Sequence, residues 1–574
     1  MPHRNRRPKE TLRSHRWYGA GGFRSSVHRA RLSQMGFSRA DFLGKPIVAI
    51  LNPWSEINSA HGHLRERAQD VKRGVWQAGG FPVELPTMSL ADSAIKPTTM
   101  LYRNFLAIEV EELLRLHPID GAVLLGGCGK TTSAMLMGGI SANLPMILMP
   151  AGPMSGGHHA GDMAGTGTLQ RWTREAAKSD SDLVEAIEEG LARSPGTALI
   201  MGSSSSMALT AETLGLTLAG ASTIPALDAG HRRMATLCGR RIVDMIWDDI
   251  APRDILTRRS FENALVALSA AGGSSNAIIH LLALARRARV PLTLADFDRF
   301  SRHVPVIANL RPLGRWLMED FCKAGGSRAF LHRLSTLLHT GERTVGGRTI
   351  GVRNADFEVF DDDVIRPLDA PFAGVGGIAV LTGNLAPEGC VIRPHTCEPR
   401  LHRHTGPALV FDGREAMLKA VNDPGLEVTP GHVLVLRYAG PVGGTGMPEL
   451  PEFPIPAKLA DAGVTDMLRL SDGRMSGASA GACVLHIAPE AYMGGALAAV
   501  RNGDRISIDV AERTLSLHVE ADEIARRLDD WSPPPRRVHR GILRMFASHI
   551  RQAPEGCDFD FLEAGEALPQ PEVF

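Results

Sequence analysis

At 574 residues the chain is too long for one ordinary core, so two domains, or one large and one smaller, are expected. Lys plus Arg (63) nearly balances Asp plus Glu (62), and the net charge of +1 builds in no general pull toward nucleic acid or membrane. Seven scattered cysteines argue against a disulfide framework and for a reducing compartment. No stretch approaches the ~18 consecutive apolar residues of a membrane span. The N-terminus is basic (Arg4, Arg6, Arg7, Lys9, Arg13, Arg16) without an apolar segment behind it, and reads as a solvated tail of a soluble cytoplasmic protein.

From about residue 45 to 230, short apolar runs alternate with helical periodicities, the pattern of an α/β domain with a largely parallel sheet. Strands are expected at Ile47 to Leu51, Pro82 to Leu85, Gly121 to Leu125, Pro145 to Met149 and Ala198 to Met201. Helices are expected at His63 to Ala78 and at Met100 to Leu116, where Leu101, Phe105, Leu106, Val110, Leu113 and Leu114 form an apolar stripe. Chemistry in such a fold belongs in the loops at strand C-termini. Residues from about 255 to 340 read as helical, and a boundary is expected near 375, dividing the chain into 1–375 and 376–574. Beyond it, Gly377 to Thr382, Ala408 to Phe411, His432 to Leu436 and Arg505 to Val519 are β-rich, the last with period-two alternation, which suggests a barrel-like second domain.

Gly129-Lys130-Thr131 after a strand suggests a phosphate-cradling loop. That motif needs a glycine five residues before Gly129, and Leu124 stands there, inside the strand. Five other segments carry more: Asn52-Pro53-Trp54-Ser55-Glu56-Ile57-Asn58, Lys96-Pro97-Thr98-Thr99-Met100-Leu101-Tyr102-Arg103-Asn104, Gly127-Cys128-Gly129-Lys130-Thr131-Thr132, Gly443-Gly444-Thr445-Gly446-Met447-Pro448-Glu449 and Ser471-Asp472-Gly473-Arg474-Met475-Ser476-Gly477. In this order they resemble the dihydroxy-acid and sugar-acid dehydratase family, most closely its pentonate branch, over about residues 15 to 565.

The resemblance implies a doubly wound N-terminal α/β domain, a β-rich C-terminal domain and a homodimer or homotetramer with its site between domains. The implied reaction removes water from a sugar acid to leave a 2-keto-3-deoxy acid. It uses a [2Fe-2S] cluster on three cysteines, Mg²⁺ on carboxylates and a carbamylated lysine, and a serine that takes the C2 proton. Carried over by position, Ser476 and Lys130 are catalytic, and Asp92, Lys130, Glu449 and Cys128 are metal positions. Arg474 and Ser274 bind substrate.

This copy departs from that pattern. Ala60 and Ala198 fall where two cluster cysteines are implied, Gly129 replaces an aspartate and Asp92 a glutamate. Ala439, Ala478 and Ser133 replace a glutamate, a threonine and a proline. One thiolate cannot hold a [2Fe-2S] cluster. His61, read as lying on an extended segment, is expected to point away from the gap, and Gly190 to Ala208 offers no Cys, His, Asp or Glu. His158 and His159 are read as loop residues, and the stretch of His395, Cys397, His402 and His404 as a solvated loop. The expectation is therefore a chain without the cluster, with Mg²⁺ possible, that binds a sugar acid as an inactive or impaired partner subunit. The alternative is a Mg²⁺-dependent hydro-lyase that works without the cluster, with Ser476 as base.

Overall fold

Four apolar runs of the N-terminal half become one parallel sheet: β1 (Ile47–Asn52), β2 (Phe81–Pro86), β3 (Gly121–Gly126) and β4 (Met146–Pro150). Their order across the sheet is β2-β1-β3-β4, with Ile47 opposite Phe81, Val48 opposite Gly121 and Ala122 opposite Met146. Every residue of β1, β3 and β4 is buried, as parallel strands covered by helices require. The computed structural model describes residues 7–92, 94–159, 162–164, 185, 188–190, 193–450, 452–477, 479–535, 540–562 and 570–573. Among them no helix is long and apolar enough to cross a membrane.

The helices that position the site are α1 (Leu64–Gln77), α2 (Met100–Leu116), α3 (Gly129–Ala142), α4 (Ser203–Thr213), α5 (Ala229–Asp248), α6 (Arg258–Ala270) and α7 (Asn276–Arg287). α1 packs on α5 and α2 on α3. The first pair meets at glycines: a Cβ on Gly74 would lie 2.0 Å from the Thr236 carbonyl oxygen, and one on Gly239 2.1 Å from that of Val71. Strand order reverses between β1 and β3, so the loops that follow these two strands open into one crevice.

The run Ala198 to Met201 is not a strand. Its polar backbone is satisfied by other loops, with Met201 N–H donating to Arg311 O and Leu199 O accepting from Met318 N–H. A buried apolar run of four residues has no periodicity to separate strand from packed loop. Gly157–His159 pairs with Asp162–Ala164 as a short antiparallel ribbon where a loop was expected; the His158 and His159 side chains lie outside the described residues.

The C-terminal half closes into an eight-stranded barrel: β5 (Ala379–Gly383), β6 (Ala386–Ile392), β7 (Arg403–Asp412), β8 (Val433–Arg437), β9 (Arg469–Ser471), β10 (Cys483–Ala488), β11 (Arg505–Asp509) and β12 (Thr514–Leu517). The order is β6-β10-β9-β8-β7-β11-β12-β5, with β7, β8, β9 and β10 parallel and the hairpins antiparallel. Closure leaves no strand edge unpaired. Ile506, Ile508, Leu515 and Leu517 alternate into a core with Leu381, Val433, Val435, Leu470 and Val484. Three strands escaped the sequence reading. β6 carries Pro387 and a bulge near Gly389, β9 has three residues, and β10 is buried throughout and does not alternate.

The Gly74 contact gives a stability prediction. Gly74→Ala must push α1 from α5 and is expected to destabilise the chain by about 1–3 kcal/mol, the usual cost of overpacking, read as a lowered melting temperature; an unchanged melt would refute the close crossing.

Candidate functional site

The site begins where β3 ends. Cys128 holds a strained φ of 48° as the N-cap of α3, and Lys130 follows in the first helical turn, 1 % exposed. A lysine there opposes the helix dipole, and two carboxylates answer it. Lys130 Nζ donates to Asp92 Oδ2 at 2.7 Å and also to Glu449 Oε2. Asp92 lies on the loop before α2 and takes a further bond from Thr99 Oγ1. Burial raises the pKa of Asp92, but Lys130 and Arg474 outweigh it and hold the carboxyl far below its usual range. Burial and Arg474 press Lys130 to lose its proton; Glu449 and Asp92 prevail and its pKa rises.

Arg474 completes the group from the other half. It is buried in the strand pair Glu449–Leu450 and Arg474–Met475, whose register sets Glu449 opposite Arg474. Its Nε donates to Met447 O at 2.7 Å, Nη1 to Glu449 and Nη2 to Thr98 Oγ1 at 3.0 Å. Two cations and two carboxylates, drawn from both halves of the chain, thus form one linked group, a charge ring left open between Arg474 and Asp92.

The loop that delivers Glu449 is irregular, with positive φ at Tyr438, Thr445 and Met447. Two buried carboxyls brace it. Asp472 accepts from Tyr438 N–H at 3.2 Å, Ala439 N–H at 2.9 Å and Ala491 N–H at 3.0 Å. Glu490 accepts from Val442 N–H at 2.8 Å and Gly443 N–H at 2.9 Å. Burial and then Glu490 push Asp472 up to about 7, against the pull of its backbone donors.

Ser476 stands half-buried just past Arg474, its N–H bonded to Leu450 O at 2.8 Å. Ser274 is buried, 3.2 Å from Ser203 Oγ, and its hydroxyl would lie 2.7 Å from a Cβ on Gly477. Asn276, at the start of α7, donates to Ser203 Oγ at 3.1 Å and to Met475 O at 3.2 Å. The structure therefore gathers Asp92, Lys130, Glu449 and Arg474 into one group, with Cys128 Sγ 3.8 Å from Asp92 Oδ2. Ser476 and Ser274 lie on either side of Gly477, whose neighbour Ala478 is outside the described residues. A small cleft borders Ser476 and is lined by Ser275, Met475, Arg393, Thr396 and Cys483 among others.

Three loops meet beside Cys128. Gly196 N–H donates to Ser59 O at 3.0 Å, and Gly127 N–H to His61 Nε2 at 3.2 Å. His61 corrects one expectation. Its segment is a turn, not extended, and the ring points into the junction. Its Nδ1 lies 2.8 Å from both Asn58 Nδ2 and Ser89 Oγ, and burial lowers its pKa to about 4. The Cys128 thiol is pushed up to about 11, first by burial and then by Asp92. Sequence reasoning did not single out Asp472, Glu490, Arg393 or Asn276; Asp472 and Arg474 flank one glycine of a quoted motif, which was the available signal. His402 and His404 each place Nε2 3.0 Å from a backbone carbonyl oxygen, and Cys397 between β6 and β7 is buried, so this stretch is packed more than a solvated loop.

The chain thus joins a parallel α/β half to a mixed barrel through a buried group of charges. The models of the dihydroxy-acid/6-phosphogluconate dehydratase N-terminal and C-terminal regions match residues 45–353 and 363–557, and the chain belongs to that family. It is 50% identical over 98% of both chains to a 6-deoxy-6-sulfo-D-gluconate dehydratase of Pseudomonas putida. It is 43% identical to an L-arabinonate dehydratase of Rhizobium leguminosarum, over 96% of each chain. A dihydroxy-acid dehydratase of Caldicellulosiruptor saccharolyticus is 36% identical over 93% of this chain and 98% of its own.

Asp472 yields a pH prediction. Its folded pKa of about 7 lies above the ordinary 3.8, so the stability it contributes is complete below 3.8 and is lost as pH rises through about 7. The melting temperature measured relative to Asp472→Asn is expected to fall between about pH 4 and pH 7 and to level off above. A flat difference would show that Asp472 is ionised throughout.

Proposed function

We propose that this chain is a sugar-acid hydro-lyase that removes water across C2 and C3 of an aldonate and releases a 2-keto-3-deoxy acid. The observation that carries this reading is the ring of Lys130, Asp92, Glu449 and Arg474 standing next to Ser476 at the seam of the two halves. The relatives that share 43–50% of its residues over nearly the whole chain are named as dehydratases of sugar acids, and they support the substrate class. They lend no support to the expectation of a silent subunit.

In this reading Ser476 Oγ, as the alkoxide, takes the C2 proton, the C2–H electron pair forms the C2–C3 double bond, and the C3–O bond breaks to release hydroxide, which takes the proton back from Ser476 and leaves as water. The enol then becomes the 2-keto acid. Ser476 is held for this by its bond to Leu450 O, adjacent to Glu449, so the ring fixes where the base stands. Asp92 and Glu449 are the hard oxygen donors that Mg²⁺ accepts while keeping several waters, and they would hold it. Such an ion supplies positive charge beside a developing enolate.

The junction of the three loops does not fit an iron–sulfur cluster held by three cysteines. Ala60 and Ala198 offer methyl groups, His61 has both ring nitrogens engaged, and Cys128 is held as a thiol by its surroundings. That single observation favours a second reading, ligand binding without turnover.

One experiment separates the two. The purified chain with Mg²⁺ is assayed for 2-keto acid from L-arabinonate, D-gluconate and 6-deoxy-6-sulfo-D-gluconate. Turnover of at least one is expected, falling about 10²- to 10⁴-fold in Ser476→Ala, as loss of a general base does. Heat stabilisation by an aldonate with no product from any substrate would establish the binding reading instead. Iron measured on anaerobically purified chain is expected well short of a full cluster; a stoichiometric cluster with a visible charge-transfer spectrum would reverse the assignment of the junction.

A further inference from the structure

Lys130 and Arg474 are each matched by carboxylates. Arg393 is different. It follows directly on β6, is 7 % exposed, and forms no ion pair with a carboxylate among the described residues. Its Nη1 donates to Gly477 O at 3.3 Å and its Nη2 to Ser479 O. Burial pulls its pKa down, opposed only by the sulfurs of Cys397 and Cys483. A guanidinium buried without an acid is costly unless a partner arrives, and this one lines the cleft that also exposes Ser476, Ser275 and Thr396.

We propose that Arg393 is the anchor for the carboxylate of the sugar acid, holding it so that C2 faces Ser476. The inference rests on the reading of the chain as a sugar-acid protein. A carboxylate is one bond from C2, so its anchor must sit beside the base, and Arg393 is bonded to the carbonyl of the residue that follows Ser476. Guanidinium is planar and presents five N–H groups, enough to keep the two backbone bonds and still meet a carboxylate edge-on. Charge drawn off the carboxylate also makes the C2 hydrogen more acidic, because the electron pair left at C2 spreads into that group.

The same bonds to Gly477 and Ser479 would let Arg393 do no more than hold the Ser476 loop in shape, and the test separates the two roles. Calorimetry on the intact chain compares D-gluconate, its neutral amide and 6-deoxy-6-sulfo-D-gluconate, for the natural chain, Arg393→Gln and Arg393→Lys. Arg393→Gln is expected to weaken D-gluconate roughly tenfold or more, the worth of a bond to a charged group, and to leave the amide unchanged. Arg393→Lys, which keeps the charge without the fork, is expected to lose less of the acid and none of the amide, and it carries the test if the glutamine variant does not fold. Equal losses for acid and amide would reduce Arg393 to a loop clamp, and a loss confined to the sulfonated acid would place the distal end of the substrate there; either overturns the proposal while the sugar-acid reading stands. A natural chain that binds none of the three overturns both.

Discussion

The ring of Lys130, Asp92, Glu449 and Arg474 is the constraint on which the rest depends. Each member is buried or half-buried, and each cation has lost water that only its partners replace. Removing one partner from such a group leaves an uncompensated charge in a poor solvent, a cost of about 3–5 kcal/mol. The ring also crosses the chain, since Lys130 and Asp92 belong to the parallel half and Glu449 and Arg474 to the segments between barrel strands. Charges that are expensive apart and neutral together admit one arrangement of the two halves, and that arrangement sets Ser476 against the α7 start through Asn276 and Met475.

Each half brings its charges to the seam by a different device. In the parallel half it is topology: the reversal of strand order between β1 and β3 places two loops in one crevice, and the left-handed turn at Cys128 starts α3 with Lys130 facing inward. In the barrel half it is a braced loop. Backbone N–H groups from Tyr438 to Gly443 have no strand partner, and Asp472 and Glu490 accept from them. Asp472 stands between β9 and the strand that holds Arg474, so one short segment supports the loop from behind and meets it from the front.

The sheet was legible in the sequence because four short apolar runs, three of them fully buried, lie between strong helical periodicities, and α2 was expected with the bounds Met100–Leu116 that it has. The alternation of Ile506, Ile508, Leu515 and Leu517 announced a barrel. Its closing strands were not legible, since a three-residue strand such as Arg469–Ser471 takes its identity from neighbours far along the chain. The ring members could be named from short motifs, yet nothing local reveals that Arg474 divides its donors among Glu449, Thr98 and the Met447 carbonyl. Arg393 and Glu490 were missed for a related reason: their partners lie 47 to 86 residues away, and their meaning is tertiary. His61 misled because periodicity rules for extended chain fail in a turn.

The junction beside Cys128 is set by close packing. The glycine at 129 is more than the absence of a carboxylate, because a Cβ there would lie 2.8 Å from Ser203 Cβ and 3.1 Å from its carbonyl oxygen. The start of α4 has come up against the start of α3, and Ser203 turns its hydroxyl to Ser274 and Asn276. An aspartate restored at 129 would therefore meet α4 before it met any ligand. The same holds at Gly127, where a Cβ would lie 2.8 Å from the His61 ring. Small residues at these two positions let a ring and a helix end fill space close to Cys128. A larger side chain at either position therefore works against the packing that the present residues make.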